Sequence, residues 1–211
     1  AQFWENLKAG RHGITEIPND RWDWRAYFDA EKGKLGSIYT KWGGFLPEID
    51  KFDPLFFRIS PAEAQNMDPQ ERLFIEEAYA AIEDAGYTPA TLNGRGAASE
   101  RSDRRIGVFV GVMNSTYGAN ARYWSIANRV SYLFDLQGPS IAVDTACSSS
   151  LTAVHLALES LYHGTCDCAI AGGVNVIVDP VHYQGLSALT MLSSTAQCKA
   201  FGDQADGFVD G

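Results

Sequence analysis

The residue of this sequence best suited to covalent chemistry is Cys147, which lies in the stretch DTACSSSLTAVHLALES at residues 144–160. The apolar run PSIAV precedes it and a helical pattern of apolar residues follows it, so the sequence predicts a turn from strand to helix. At such a turn, the N–H groups and dipole of the helix stabilise an anion such as a thiolate, and also the oxyanion of an attacked carbonyl. Cys147 is therefore either an acyl-accepting nucleophile or a small, buried packing residue.

The other three cysteines, Cys166, Cys168 and Cys198, form no recognisable site in the sequence. Cys166 and Cys168 are too close for ordinary disulfide geometry, and no second pair completes a zinc site. Free thiols in a reducing compartment are the simpler interpretation, which predicts a cytoplasmic protein. The sequence has no phosphate-binding loop and no ligand-spaced cluster, so we expect no metal and no cofactor bound by this chain.

Composition excludes two classes of partner. The 211 residues include 17 Lys and Arg against 26 Asp and Glu, a net charge of −9, whereas binding to a nucleic-acid backbone needs clustered basic residues. The longest apolar runs fall far short of the ~20 residues that span a bilayer, so no membrane segment is predicted. With 45% hydrophobic and 20% charged residues, the chain is typical of a globular domain.

The elements that would position Cys147 alternate between helices and buried strands. Ser60 and Asp68 are predicted N-caps, each followed by proline and by a glutamate three residues on. The residues from Arg11 to Asp53 show little periodicity and are predicted to be mostly loop. Buried strands are predicted at 106–113, 139–146 and 168–179, and helices at 3–10, 123–136 and 149–164. This alternation predicts an α/β layered fold.

Two helices show apolar faces that are predicted to pack in the core. In the helix after Asp68, that face consists of Leu73, Phe74, Ala78, Ala81, Ile82 and Ala85. In the helix after Cys147, it consists of Leu151, Val154, Leu158 and Leu161.

Beyond these patterns, PSIAVDTACSSSL resembles the active-site signature of β-ketoacyl synthases, the condensing enzymes of polyketide and fatty-acid synthesis. Further segments resemble successive ketosynthase segments of modular polyketide synthases in the same order: FWENLKAG, RWDW, FDPLFFRIS, MDPQERLFIEEAYAAIEDAGY, IGVFVGVMN, SIANRVSYLFDLQGPS, CDCAIAGGVNVIV and CKAF followed by ADGFV. They cover nearly the whole chain. KWGGF at 41–45 is similar to ketosynthases of assembly lines that are served by a separate acyltransferase.

The resemblance implies a thiolase-like fold of two α/β halves in five layers (αβαβα), of which residues 1–211 supply mainly the N-terminal half. It also implies that Cys147 takes an acyl chain from the phosphopantetheine arm of an acyl carrier protein, with its own N–H as an oxyanion donor. Condensation with a malonyl-type extender would follow. Met113 and Asn114 match the region that lines the acyl pocket, and the strand before Cys147 matches one near the two-fold axis of a homodimer. The C-terminal half of the ketosynthase is an implied partner.

The histidines that stabilise the decarboxylating extender in this family come from the C-terminal half, so none of the four in this chain is predicted to be catalytic. His163 begins a His-Gly-Thr sequence, but its position predicts a helix C-terminus that Gly164 ends. His155 lies roughly 12 Å from Cys147 by helical rise. His12 and His182 fall in predicted loops.

Two other functions stay open at this point. The protein could be a non-condensing relative in which Cys147 only receives and passes on an acyl chain. It could instead be a module without catalytic activity that docks carrier protein or dimerises, in which case Cys147 would be unreactive.

Overall fold

The structure of the chain, a computed structural model, describes residues 2–94, 104–115, 117–118 and 122–211. The chain divides into two compact units: unit 1 contains Ala1–Pro47 and Val176–Gly211, and unit 2 contains Glu48–Asn175. The helices are α1 (Gln2–Lys8), α2 (Pro61–Asn66), α3 (Pro69–Asp84), α4 (Pro89–Leu92), α5 (Tyr123–Leu133), α6 (Ser149–Tyr162) and α7 (Val181–Ala188). The strands are β1 (Ile14–Glu16), β2 (Trp42–Gly44), β3 (Ile106–Gly111), β4 (Ser140–Val143) and β5 (Cys168–Gly173).

Unit 2 is built on a parallel sheet in the order β4-β3-β5. Every residue of β3 is buried, as its continuous apolar sequence predicts. Alternate residues of β3 face opposite sides of the sheet. Ile106, Val108 and Val110 pack in the core with residues of α3 and α5, whereas Phe109 packs with Ala153 and Ala157 of α6. The predicted α/β layered architecture is therefore confirmed in unit 2.

The face on which α6 packs differs from the prediction. The side chains of Leu151, Val154, Leu158 and Leu161 are all exposed, and Leu151 has an exposed fraction of 77%. The helix instead buries Ser149, Ala153 and Ala157. The reason is that α6 approaches the sheet too closely for large side chains to fit between them.

The start of α3 follows the prediction, but its buried face was only partly correct. Ser60 caps α2 and Asp68 caps α3, because the Ser60 hydroxyl accepts from Glu63 N–H and the Asp68 carboxylate accepts from Gln70 N–H. Ala81 and Ala85 are exposed although they were predicted to be buried. Ile75, which was not predicted, is fully buried beside Phe74, Ala78 and Ile82 because α5 covers that side of α3.

Strands β4 and β5 are shorter and more exposed than predicted. The ends of the predicted strands, at 144–146 and 174–179, are irregular. No residue of β4 or β5 reaches full burial, and Ile141 in β4 is 37% exposed. Their apolar sequences alone do not distinguish the central strand from its neighbours.

Unit 1 contains structure that the sequence did not predict between Arg11 and Asp53. Strands β1 and β2 form an antiparallel pair, and a 3₁₀ helix spans Trp24–Ala26. The hydrophobic core of unit 1 contains Ile17, Trp22, Ile38, Tyr39, Ile177, Tyr183 and Leu192. Most of residues 11–53 lies outside helices and strands, as predicted, but residues from distant parts of the chain share this core.

None of the helices in the described residues is long and apolar enough to cross a membrane.

Candidate active site

The residues predicted to do chemistry follow the carboxyl ends of neighbouring strands in unit 2. Parallel strands end at the same edge of a sheet, and the pairing of Gly111 with both Val143 and Gly173 fixes that edge. Val112 N–H donates to Val143 O at 3.1 Å, which is the last bond between β3 and β4. Met113 and Asn114 follow from one strand and Cys147 from the other. The topology therefore brings the predicted nucleophile and the predicted acyl-pocket segment to one edge.

Cys147 lies on a tight turn whose backbone is strained. Ala146, immediately before it, has φ +54°, a left-handed conformation that residues with a Cβ seldom adopt. The Asp144 carboxylate accepts from Ala146 N–H at 2.9 Å, and the Ser149 hydroxyl donates to Ala146 O at 2.6 Å. The Ser149 hydroxyl also accepts from Thr145 N–H at 2.9 Å. These bonds hold the turn from both sides and fix the direction in which Cys147 points.

The thiol and the N–H of Cys147 are both available to a ligand. Cys147 is an exposed, free cysteine. Within the described part of the chain, its backbone N–H donates no backbone hydrogen bond. The exposed thiol fits the predicted nucleophile better than the predicted packing residue. A free N–H on the nucleophile itself is the arrangement that an oxyanion donor requires.

The first turn of α6 begins directly after Cys147 and is not capped by a side chain. Ser148 is the N-cap residue, but its hydroxyl donates to Thr145 O at 2.8 Å and makes no bond to the helix. The N–H groups of Ser148 and Ser149 donate to Thr145 O and Ala146 O, at 3.4 and 3.0 Å. No side chain caps the helix, so the positive end of its dipole is directed toward the region of Cys147. Such a helix start can stabilise an oxyanion formed beside it.

Two glycines allow α6 to lie close against the sheet edge. A Cβ atom at Gly111 would lie 2.5 Å from the carbonyl carbon of Ser149, and one at Gly173 would lie 2.0 Å from Ser150 Oγ. At Gly111 the clash is with the backbone, so only glycine permits this packing, whereas at Gly173 it is with a hydroxyl group that would have to rotate away. The close approach places the start of α6, and with it Cys147, above the ends of β3 and β5.

Met113 and Asn114 are half-buried, and both are held by side chains from other elements. The Tyr123 hydroxyl donates to Met113 O at 2.8 Å, and Gln70 Nε2 donates to Asn114 O at 2.7 Å. The Asn114 amide nitrogen Nδ2 has no hydrogen-bond acceptor among the described residues.

The four histidines are divided between the two units. His163 is the C-cap of α6, as predicted, and its Nδ1 lies 2.8 Å from Glu159 O. His155 is exposed on α6, and His12 is exposed in a loop of unit 1. The prediction of a loop at His182 is wrong: it lies in the first turn of α7, with Nε2 2.8 Å from the Asp210 carboxylate.

A cavity of about 440 Å³ lies elsewhere in unit 2. Its walls include Phe57, Tyr79, Asn93 and Phe134. Phe134 follows α5 and precedes β4, so this cavity lies toward the amino edge of the sheet, whereas Cys147 follows the carboxyl edge. Neither Cys147 nor the Met113–Asn114 segment lines it.

Residues 1–211 match the family model described as β-ketoacyl synthase, N-terminal domain. This chain belongs to the β-ketoacyl synthase family. Polyketide synthase PksM of Bacillus subtilis (strain 168) is 69% identical over 209 residues, which is 99% of this chain. Polyketide synthase PksL of the same strain is 51% identical over 224 residues. The chain spans 5% of the length of each of these relatives.

Solved ketosynthase structures resemble the chain throughout. The oxazolomycin ketosynthase domain OzmH KS7 of Streptomyces albus JA3453 has 44% identity and a TM-score of 0.91, over 99% of this chain and 37% of that one. The ketosynthase from module 6 of the bacillaene synthase of Bacillus subtilis 168 has 41% identity and a TM-score of 0.88, over 99% of this chain and 35% of that one. These likenesses confirm the predicted ketosynthase family and its thiolase-like α/β fold.

The roles of individual residues in this ketosynthase chain stay predictions, namely Cys147 as nucleophile and Met113 and Asn114 as pocket residues. The description of 1–211 as one part of a ketosynthase domain is likewise a prediction. Among the described residues, no group of three or more His, Cys, Asp or Glu side chains could hold a metal ion. That leaves the predicted absence of a metal or cofactor as an expectation.

Sequence reasoning missed residues that organise this edge of the ketosynthase. Asp144 and Ser149 hold the turn at Cys147, and Gln70 and Tyr123 hold the segment after β3. Only Gln70 lies in a stretch that the sequence singled out, the D-P-Q-E sequence of residues 68–71. That stretch was interpreted solely as a helix start. Their contacts join elements far apart in the chain, so local patterns did not reveal them.

Proposed function

We propose that this chain is the N-terminal half of the ketosynthase of a modular polyketide synthase, and that Cys147 receives the growing acyl chain. The observation that supports this most is the exposed thiol on a strained turn at the uncapped start of α6. Its N–H donates no backbone hydrogen bond to any residue that the structure describes. The family resemblance alone would not require this geometry. A buried or capped cysteine would have argued against the proposal.

In the first step, the Cys147 thiolate attacks the thioester carbonyl of an acyl chain carried on the phosphopantetheine arm of an acyl carrier protein. The carbonyl carbon forms a bond to the Cys147 sulfur, and the oxyanion of the tetrahedral intermediate accepts from Cys147 N–H. The bond to the phosphopantetheine sulfur then breaks. That sulfur leaves as a thiolate and takes up the proton that Cys147 lost on ionisation.

In the second step, a malonyl-type extender on a carrier protein loses CO₂, and its carbanion attacks the acyl group on Cys147. A carbon–carbon bond forms, the bond to sulfur breaks and the thiolate of Cys147 is restored. The family resemblance places the histidines of the decarboxylation in the C-terminal half, so we assign that task to it. This chain itself binds no cofactor in the proposal, since the carrier protein supplies the phosphopantetheine arm.

The exposed apolar face of α6 is the surface that we assign to the C-terminal half. Leu151, Val154, Leu158 and Leu161 are large, apolar and exposed along one side of a helix whose other side packs on the sheet. Apolar residues at this spacing on a helix are normally covered by another element.

A homodimer is also part of the proposal, and β4 is its expected contact. Strand β4 is at the edge of the described sheet. Pro139 O and Val143 O accept hydrogen bonds from β3, so Ser140 and Ala142 direct their backbone groups away from it. An unpaired edge of this kind is a template for pairing with another strand.

The four cysteines are free, which suits the reducing cytoplasm that we expect for the protein.

The test of the proposed nucleophile is intact-protein mass spectrometry of the complete ketosynthase domain before and after incubation with a short acyl thioester. We expect a single acyl adduct that is absent from Cys147→Ala. Cys198→Ala is the matched control, because Cys198 is the other exposed cysteine of the chain and should not affect the adduct. An adduct that persists in Cys147→Ala, or none in the wild type, would contradict the proposal.

The dimer is tested by sedimentation velocity of the same domain and its Ala142→Pro variant. Proline removes an N–H that points away from β3, so it should leave the pairing with β3 intact while weakening pairing with a second copy. We expect a dimer for the wild type and a shift toward monomer for the variant. A monomeric wild type would exclude this part of the proposal.

A further inference from the structure

Residues 113–115 are positioned by side chains alone. β3 ends at Gly111, and Val112 N–H makes the last backbone bond of this strand to β4. Beyond Val112, no backbone–backbone hydrogen bond involves Met113, Asn114 or Ser115 in the described part of the chain. A segment without such bonds would take up several conformations unless other groups held it.

Met113, Asn114 and Ser115 each form a hydrogen bond with a side chain from α3, its N-cap or α5. The Tyr123 hydroxyl donates to Met113 O at 2.8 Å, and Gln70 Nε2 donates to Asn114 O at 2.7 Å. The Ser115 hydroxyl donates to the Asp68 carboxylate at 2.5 Å. Gln70 is 44 residues from Asn114 in the chain, so these bonds couple distant elements.

The groups that hold the segment are themselves rigid. Gln70 has an exposed fraction of 1% and Asp68 one of 6%, and both lie at the start of α3. The Asp68 carboxylate accepts from Gln70 N–H at 2.8 Å and lies 3.4 Å from Gln70 Nε2. Two buried side chains that fix each other lose little conformational freedom when they bind a third group.

Tyr123, which holds Met113, also lies near a carboxylate of the turn that carries Cys147. Burial raises the pKa of the Tyr123 phenol, and the nearby negative charges of Asp144 and Asp68 raise this pKa further. The phenol therefore keeps its proton at neutral pH and remains a donor to Met113 O. Asp144 is the residue whose carboxylate holds Ala146, next to Cys147.

We propose that Gln70 and Tyr123 are positioning residues that set which acyl chains Cys147 accepts, by holding Met113 and Asn114 in place. This inference rests on the proposed function, because it assumes that the 113–114 segment borders the acyl chain. Neither residue touches the reacting atoms, so losing its bond should change selection among chains and not the reactivity of the thiol. The expected ligand is an acyl thioester whose chain is long enough to reach past Cys147 to this segment.

The experiment compares Tyr123→Phe with Tyr132→Phe in the complete ketosynthase domain. Both substitutions remove only a hydroxyl group from α5, but Tyr132 is 83% exposed and lies at the opposite end of the helix from Tyr123. Rates of acylation of Cys147 are measured by intact mass for acetyl and octanoyl thioesters of N-acetylcysteamine. We expect Tyr123→Phe to change the ratio of octanoyl to acetyl kcat/KM by about fivefold, which corresponds to one hydrogen bond.

A second pair of variants tests the contribution of α3. Gln70→Met keeps the length of the side chain but removes the Nε2 donor, and Gln137→Met makes the same change at an exposed site near the start of β4. We expect Gln70→Met to change the ratio by a similar factor. Thermal melting of each variant shows whether the domain stays folded.

The outcomes separate this inference from the proposed function. If the wild type is not acylated at Cys147 by either thioester, the proposed function fails. If it is acylated and Tyr123→Phe leaves the chain-length ratio equal to that of Tyr132→Phe, only the positioning role is overturned. If Gln70→Met unfolds, the result for Tyr123→Phe alone tests the positioning role, because this variant retains the aromatic ring and its packing.

Discussion

Two helices of unit 2, α3 and α6, begin in opposite ways. At α3, the Asp68 backbone is extended with ψ 135°, its carboxylate caps the helix, and the first turn is buried. At α6, Ser148 has ψ 1°, its hydroxyl does not reach the helix, and Cys147 before it is exposed. Both helices start beside the same sheet edge.

The difference indicates which helix start serves stability and which serves the proposed chemistry. A capped start uses its N–H groups on the protein's own carboxylate, which stabilises the fold and leaves nothing for a ligand. An uncapped start forgoes that stabilisation and directs the positive end of its dipole toward the anions of a reaction. The following predictions test this difference, from the largest expected effect to the smallest.

Gly111→Ala should have the largest effect. The new Cβ would meet the backbone of Ser149 at 2.5 Å and force α6 away from the sheet. We expect the free energy of unfolding to fall by about 3 kcal/mol and acylation of Cys147 to be largely lost. Chemical unfolding and intact mass measure the two effects. Gly185→Ala in α7 is the control, because nothing lies within 4 Å of its new Cβ, and wild-type stability in Gly111→Ala would contradict the close packing.

Asp68→Ala should cost more stability than Ser148→Ala. It removes the cap of α3 and leaves the Ser115 hydroxyl without its buried acceptor, a loss of about 2 kcal/mol. Ser148→Ala removes a hydroxyl that caps nothing, and we expect a loss below about 1 kcal/mol. The midpoints of urea unfolding compare the two variants. Equal losses would show that the two helix starts do not differ in stability.

Ser148→Asp should make the start of α6 resemble that of α3. A carboxylate at this position should stabilise the helix by about 0.5 kcal/mol through its dipole. The same charge should disfavour the thiolate of Cys147 and slow its acylation about tenfold. Ser148→Asn, of similar shape and without charge, is the control. Faster acylation in Ser148→Asp would contradict the role of the uncapped helix start.

Ala146→Gly should have the smallest effect. Glycine relieves the left-handed strain at φ +54° but gains freedom in the unfolded chain, so the stability should change by less than about 0.5 kcal/mol. Acylation should slow about twofold, because Asp144 and Ser149 still hold the turn. Stopped-flow acylation measures the rate. A much larger loss would show that the conformation of Ala146 itself, and not the two clamping side chains, positions Cys147.

Local signals in the sequence were sufficient for much of the framework. The buried strand β3, the caps at Ser60 and Asp68, and the helix after Cys147 each depend on neighbouring residues and were predicted correctly. The buried face of α6 was not predictable, because it depends on how closely Gly111 and Gly173 let the helix approach. The pairing of β1 with β2 likewise depends on a core shared by distant parts of the chain.

The candidate site shows the same division. Cys147 was found from its position in a strand-to-helix turn and from its resemblance to a known signature. The contributions of Gln70 and Tyr123 could not be found this way, because their hydrogen bonds join α3 and α5 to a segment that follows β3. A glutamine in a helix start gives no local sign of the carbonyl that it binds.

The three bonds to residues 113–115 bear on how ketosynthases can be recombined. A chimera that exchanges only this short segment would bring in new carbonyls and side chains while keeping the old donors on α3 and α5. We expect such grafts to transfer substrate tolerance poorly. Exchanging the first turns of α3 and α5 together with the segment should transfer the substrate tolerance of the donor ketosynthase. The hydrogen-bond donors and acceptors would then come from the same parent.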